Sequence, residues 1–186
     1  MFDKIQVVLW LITYLLIIIN IFKNKSTKSI SIPYLAVILN FAWEFNALNQ
    51  SKGLLGHILW FLLDLTIVIY GFYTLSTRNK IAFTLLLISF ILVFVNIFKL
   101  NEGNLISSFI IDIIMAFMFL IRFNNISRNL RISIALTKLL GDLFAWQFYK
   151  FNIIVNIIGI IVLLINLIYL FKCINSRKDL IEKVFG

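Results

Sequence analysis

The sequence predicts an all-α protein, a polytopic membrane bundle of seven transmembrane helices. Hydrophobic residues make up 62% of the 186 residues and the mean hydropathy is +1.02, which leaves too few polar residues to cover a soluble domain. Seven apolar stretches each approach the length of about 20 residues that a helix needs to cross the hydrocarbon. The single proline, Pro33, falls in the first turn of the second stretch, where its missing N–H costs nothing.

The seven predicted spans use most of the chain. Their ranges are 3–22, 31–49, 54–74, 80–98, 104–122, 131–149 and 152–172. Because the runs are continuously apolar, helices are expected and the alternating strands of a barrel are not. Basic residues follow the first run and no small-residue cleavage site appears, so we interpret this run as a retained helix and not as a signal peptide. Only short loops remain, and residues 1–186 are expected to form a single transmembrane domain.

The basic residues predict the orientation, with the amino terminus outside and the carboxyl terminus in the cytoplasm. One side would hold twelve of them: Lys23, Lys25, Lys28, Arg78, Lys80, Arg122, Arg128, Arg131, Lys172, Arg177, Lys178 and Lys183. The other side would hold four: Lys4, Lys52, Lys99 and Lys150. In short loops such an excess marks the cytoplasmic face. The net charge of +9 thus reflects the topology of a multi-pass protein of the cytoplasmic membrane, whose partner is the lipid bilayer and not nucleic acid.

Two of the predicted spans resemble each other. Ala-Trp-Glu-Phe at 42–45 in the second span matches Ala-Trp-Gln-Phe at 145–148 in the sixth. Each is followed by a short outer turn and another span, which indicates a three-plus-one-plus-three arrangement of parallel repeats with the fourth span as linker. Such repeats place their binding sites at the interface between the halves. Chance similarity between helices rich in Phe and Trp is the alternative.

Four acidic residues fall inside the predicted spans: Glu44, Asp64, Asp112 and Asp142. Each lies within about four residues of a span midpoint, or roughly 6 Å in depth. Ionisable groups inside a bilayer are costly, so they face the interior of the bundle or a cavity. Four acids at one depth therefore predict a shared polar chamber.

Helical spacing places further residues on the faces that carry two of these acids. Asn40 and Trp43 lie on the face of Glu44 in the second span, because residues three and four positions apart are neighbours on a helix. His57 and Trp60 lie on the face of the acid in the third span. His57 has no partner with metal-ligand spacing, so we expect no metal site and interpret this histidine as interfacial.

The sixth and seventh spans carry polar patterns that have structural alternatives. Lys138 and Asp142 form an i,i+4 pair, in which the acid could simply neutralise the lysine. Asn152, Asn156 and Asn166 form a stripe on the seventh span, which could serve interhelical hydrogen bonding worth on the order of 1 kcal/mol per bond. The acid of the fifth span could likewise be a protonated structural group bonded to another helix.

The segment Asn-Phe-Ala-Trp-Glu at 40–44 resembles the small integral-membrane terpene cyclases of meroterpenoid and indole-diterpene pathways. Proteins of that family have seven helices, with an Asn-x-x-Trp-Glu motif in the second helix whose Glu is taken as the proton donor. Residues 10–14, 60–70 and 139–141 are similar to family segments in the first, third and sixth helices. One residue departs from the pattern: Asn166 stands where the family usually carries a second acid, and Asp64 could replace that acid.

The resemblance implies a terpene cyclase-like enzyme, an isomerase or lyase of terpenoid biosynthesis. Glu44 would protonate an epoxide or alkene of an apolar prenylated lipid, because burial disfavours the charged form of a carboxyl group. Asp64 or Asp142 would accept the final proton or orient Glu44, and indole rings would stabilise the carbocation. The substrate-binding residues would be Asn40, Trp43, Trp60, Asp112, Trp146 and Asn166. No metal, nucleotide or other cofactor is expected.

Two other functions stay open beside the enzyme. A small-solute or proton-coupled transporter of the three-plus-one-plus-three type would use the same acids as a pathway, although the Pro-Gln dipeptide of the best-known such families is absent. A non-enzymatic membrane component, such as a subunit, an immunity factor or a receptor-like protein, is the third. The sequence favours the enzyme and leaves the substrate and the oligomeric state open.

Overall fold

Seven α-helices make up the described part of the chain. The computed structural model describes residues 2–23, 34–48, 54–74, 77–97, 101–121 and 128–175, and no strand occurs among them. The helices are α1 (Phe2–Lys23), α2 (Tyr34–Leu48), α3 (Leu54–Thr74), α4 (Thr77–Ile97), α5 (Asn101–Ile121), α6 (Arg128–Tyr149) and α7 (Ile153–Asn175). The all-α prediction is confirmed, and each predicted span overlaps one helix with ends that agree within three residues.

Part of the predicted charge asymmetry falls on residues outside the described ranges. These are Lys25, Lys28, Lys52, Lys99, Arg122, Arg177, Lys178 and Lys183, together with Pro33. Among the described residues, Lys23 ends α1 and Lys172 lies in the last turn of α7. Because α1 and α7 are both odd-numbered helices of an up-and-down chain, these two lysines are expected at the same end of the bundle.

Local hydrogen bonds explain how polar residues fit into these apolar helices. Asn152 caps α7, since its Oδ1 accepts the backbone N–H groups of Ile154 and Val155 at 3.0 and 3.2 Å. Hydroxyl groups inside the helices donate to the carbonyl oxygen four residues earlier. Such bonds satisfy the hydroxyl group within its own helix, and they need no water around it.

The helices pack as a ring of six with one helix outside it. Around the ring, α1 contacts α6, α6 contacts α7, α7 contacts α5, α5 contacts α2, α2 contacts α3, and α3 contacts α1. The remaining helix, α4, packs against α2. Exchanging α1 with α5, α2 with α6 and α3 with α7 reproduces the same ring. The helix that carries Glu44 therefore packs mainly against α3, α4 and α5.

Polar side chains lie inside the bundle and large apolar side chains lie on its surface. The buried polar residues are Gln6, Thr13, Asn20, Glu44, Asn46, Asp64, Ser107, Arg131, Lys138, Asp142 and Asn166. An exposed apolar stripe runs along α1 and consists of Val8, Ile12, Leu15, Ile19 and Phe22. A second runs along α7 and includes Ile153, Ile157, Ile160, Leu164, Ile168 and Phe171.

Length and composition single out one of the described helices as able to cross a membrane. It is α7, Ile153–Asn175, with 23 residues and a hydropathy of 2.8. Shorter apolar segments occupy Lys4–Asn20, Gly56–Tyr70, Phe83–Leu92 and Leu105–Ile121.

Candidate functional site

Glu44 and His57 form a buried pair between α2 and α3. Glu44 lies one turn before the end of α2, and His57 lies in the first turn of α3, so the two helix ends bring them together. Glu44 Oε2 and His57 Nδ1 are 2.8 Å apart. The carboxyl side chain is 4% exposed and the imidazole 19%. A titratable imidazole therefore lies between the predicted acid and the edge of the bundle.

Two indole rings flank this imidazole. The ring centroid of His57 is 5.7 Å from that of Trp43 and 5.6 Å from that of Trp60. Trp43 Nε1 donates a hydrogen bond of 2.8 Å to Ser107 Oγ on α5, which fixes the orientation of this indole. The predicted substrate-binding residues Trp43 and Trp60 are thus brought together, with the imidazole between them.

Asn40 joins three helices beside this pair. Its Nδ2 donates to Asp64 Oδ2 on α3 and to the Tyr14 hydroxyl oxygen on α1, each at 2.6 Å. Asp64 is 1% exposed, and its second oxygen, Oδ1, has no hydrogen-bond partner in the described part of the chain. A carboxyl group with one satisfied and one free oxygen is able to receive a proton or to bind a donor from a ligand.

The second half of the chain holds its own polar cluster. Lys138 Nζ lies 2.7 Å from Asp142 Oδ2, and the Asn166 amide on α7 donates to the same oxygen. Lys138 is fully buried, and its ammonium group lies 4.9 Å from the ring centroid of Trp10. The structure thus pairs Asp142 with Lys138, the contact on which the structural alternative depends. The second carboxyl oxygen of Asp142, Oδ1, has no hydrogen-bond partner among the described residues.

Asp112 on α5 connects the two clusters electrostatically. Charge interactions link its carboxyl to Glu44 in one cluster and to Lys138 and Asp142 in the other. Its side chain is still partly accessible. Of the four acids, it is the one that is not fully buried. The four acids predicted to share a chamber thus lie within electrostatic reach of one another in series.

Trp146 lies apart from the Glu44 pair. Its Nε1 donates a hydrogen bond of 2.8 Å to Asn156 Oδ1 on α7, and its ring packs on Gly159. These contacts tie Trp146 to the α6–α7 pair. Of the predicted substrate-binding indoles, the structure brings Trp43 and Trp60 to Glu44 and places Trp146 in the second half.

Three residues of this site make contacts that the sequence did not predict. His57 was interpreted as interfacial, and it lies near the end of α3 with its side chain 19% exposed, but its contact with Glu44 was not predicted. Tyr14 and Trp10 lie one turn apart on α1. Tyr14 contacts Asn40 in the first half of the chain, and Trp10 contacts Lys138 in the second half. The i,i+4 spacing of these two aromatic residues was the available signal, but it does not say which helix they face.

No family model matches this chain, and no curated protein or solved structure matches it either. The resemblance to the membrane terpene cyclases therefore stays a prediction.

Proposed function

We propose that this chain is a multi-pass protein of the cytoplasmic membrane, crossing about seven times with its amino terminus outside, and that it cyclises a prenylated lipid. Glu44 is the general acid that protonates an epoxide or alkene of this substrate. The observation that carries the proposal is the Glu44 carboxyl group, buried inside a helical bundle and paired with a titratable imidazole at 2.8 Å. General acids of this kind need a proton, an enclosed site and a route for proton return.

The membrane location is supported by the distribution of side chains. Large apolar side chains cover the outside of α1 and α7, whereas a lysine and several acids are buried inside. Six of the seven described helices have 21 to 23 residues, whereas α2 has 15. The six longer helices extend about 32 to 35 Å at 1.5 Å per residue, and the hydrocarbon is about 30 Å thick. Lipid would cover the apolar surface and would deliver an apolar substrate.

In the proposed reaction the acid and the accepting base are different groups. Glu44 transfers its proton to the substrate, and the resulting carbocation cyclises and then loses a proton to a carboxylate. Asp64 is suited to accept it, because Asp64 Oδ1 is free and the other oxygen is held by Asn40. Trp43 and Trp60 would stabilise positive charge near Glu44, at about 1–2 kcal/mol for each desolvated ring.

The missing acid of the last helix has a counterpart in Asp142. Asn166 replaces that acid, and its amide group donates directly to Asp142 on α6. The carboxyl group of Asp142 on α6 thus lies in direct contact with the position on α7 where the family carries its acid. This supports Asp142 as the second acid of the proposed site.

The experiment is to express the protein in membranes with prenylated epoxides and to analyse the products. We expect cyclised product with the natural chain and none with Glu44→Gln, which keeps the shape and removes the acid. Gln147→Ala is the matched control. Gln147 stands in the Ala-Trp-x-Phe segment of α6 where Glu44 stands in that of α2, and its side chain binds the exposed Lys150 ammonium group. If Glu44→Gln cyclises as well as the natural chain, Glu44 is not the acid.

A second candidate function is transport of a small solute coupled to protons. The observation that favours it is the helix ring, which maps onto itself when the first three and last three helices are exchanged. Parallel repeats of this kind carry sites at the interface of the halves. Uptake of candidate solutes into proteoliposomes, with and without a pH gradient, separates the two: gradient-driven uptake without product supports transport.

A further inference from the structure

His57 contacts the buried carboxyl group of Glu44 and is itself partly exposed, so it lies between this acid and the edge of the bundle. Nδ1 is 2.8 Å from Glu44 Oε2, so this nitrogen faces the acid. The imidazole is 19% exposed whereas the carboxyl is 4% exposed. The first turn of α3, where His57 lies, is the end of that helix expected on the outer side.

We propose that His57 carries protons between Glu44 and the water outside the bundle. The proposal rests on the proposed role of Glu44 as the acid. A hydronium ion protonates the imidazole to imidazolium, which donates its Nδ1 proton to the Glu44 carboxylate and leaves a neutral ring with its proton on Nε2. Before the next cycle the ring rotates about its Cβ–Cγ bond, Nδ1 takes a proton from a hydronium ion at the water side, and the ring rotates back. Histidine suits this step because its imidazole both accepts and donates a proton.

Two indole rings pack beside the His57 imidazole. The ring centroids of Trp43 and Trp60 lie 5.7 and 5.6 Å from that of His57. Trp43 is itself fixed by its hydrogen bond to Ser107. Both indoles therefore pack close to the imidazole, whose Nδ1 points at Glu44.

The geometry also explains why the proton enters through His57 and not through another acid. Asp64 is 1% exposed and Asp142 is 3% exposed, so neither reaches water. Asp112 is partly accessible, but among the described residues no hydrogen bond joins it to Glu44. His57 is the partner in direct hydrogen-bond contact with the Glu44 carboxyl, and a proton moves most readily along such a bond.

The test is hydrogen–deuterium exchange of the Glu44 carboxyl group, followed by infrared spectroscopy of protein in lipid vesicles transferred to D2O. The difference from Glu44→Gln assigns the carboxyl band. His57→Phe keeps a flat ring between the two indoles, and His57→Gln keeps a donor to Glu44, but neither carries protons. We expect exchange to slow by on the order of 10²-fold in both variants, the scale of a positioned proton-transfer group. Added imidazole should restore part of the rate in His57→Phe.

Exchange as fast in both variants as in the natural chain would overturn the proposal. Fast exchange in His57→Gln alone would also overturn it, since the residue would then only position Glu44 through a hydrogen bond. The measurement needs no substrate, so its outcome is independent of whether the protein is a cyclase. The cyclisation assay with Glu44→Gln decides the function separately, and thermal unfolding of each variant shows that it is folded.

Discussion

Asn166 on α7 donates a hydrogen bond of 2.5 Å to Asp142 on α6, and the two residues are 24 positions apart. Asn40 and Asp64 form the same amide–acid contact in the first half, also 24 positions apart. The order is exchanged: the amide comes first in one pair and the acid comes first in the other. The Ala-Trp-x-Phe segment recurs 103 residues later, and the two members of the first pair have their counterparts 102 residues later. The sequence match and the contact pairs therefore give repeat offsets that differ by one residue.

The exchanged order predicts that the amide and acid of the second pair can be swapped. Asp142→Asn alone leaves buried Lys138 without its anionic partner, and we expect a loss of about 3–5 kcal/mol, the usual result of breaking a buried ion pair. Adding Asn166→Asp returns a carboxyl group to the same contact and should recover part of the loss. Thermal unfolding in detergent measures both. A double variant no more stable than Asp142→Asn would contradict the prediction.

The buried ion pair predicts a strong contrast between two lysines. Lys138→Met removes the cation that faces Asp142 at 2.7 Å inside the bundle, so we expect a loss of about 3–5 kcal/mol. Lys150→Met is the matched control, because the exposed Lys150 ammonium binds the Gln147 side chain and surface contacts contribute about 0–1 kcal/mol. Both are measured by unfolding in detergent. Equal effects would mean that the Lys138 pair does not stabilise the fold.

Two glycines predict opposite effects of the same substitution. A Cβ at Gly159 would collide with the Trp146 ring, and overpacking of this kind costs about 1–3 kcal/mol. A Cβ at Gly56 would meet its nearest atom, Val7 Cγ2, at 3.7 Å, an ordinary contact. Gly159→Ala should therefore destabilise the protein, whereas Gly56→Ala should be neutral or gain up to about 1 kcal/mol of helix propensity. Adding Trp146→Leu should relieve the clash, and no relief would place the cause elsewhere.

Much of the fold could be predicted because each helix coincides with a long apolar run in the sequence. The boundaries of α3 agree at both ends, and those of the other helices agree within three residues. The inward faces could also be predicted, since Glu44, Asp64 and Asp142 must avoid apolar surroundings wherever the neighbouring helices lie.

The partners of these residues could not be predicted, because periodicity gives the face of a helix but not which helix it meets. Tyr14 and Asn40 are 26 positions apart and Trp43 and Ser107 are 64 apart, and nothing local connects them. The contact between His57 and Glu44 could not be predicted for the same reason, because it depends on the end of α2 lying beside the start of α3.

Most of the buried polar contacts join helices that follow each other in the chain. Glu44 meets His57, Asn40 meets Asp64, Asp142 meets Asn166 and Trp146 meets Asn156, all within the α2–α3 or α6–α7 hairpin. In the proposed membrane setting this bears on biogenesis. Each of these hairpins can leave the translocon with its own carboxyl groups already matched, so that Glu44, Asp64 and Asp142 do not remain unpaired in the lipid until a distant segment is synthesised.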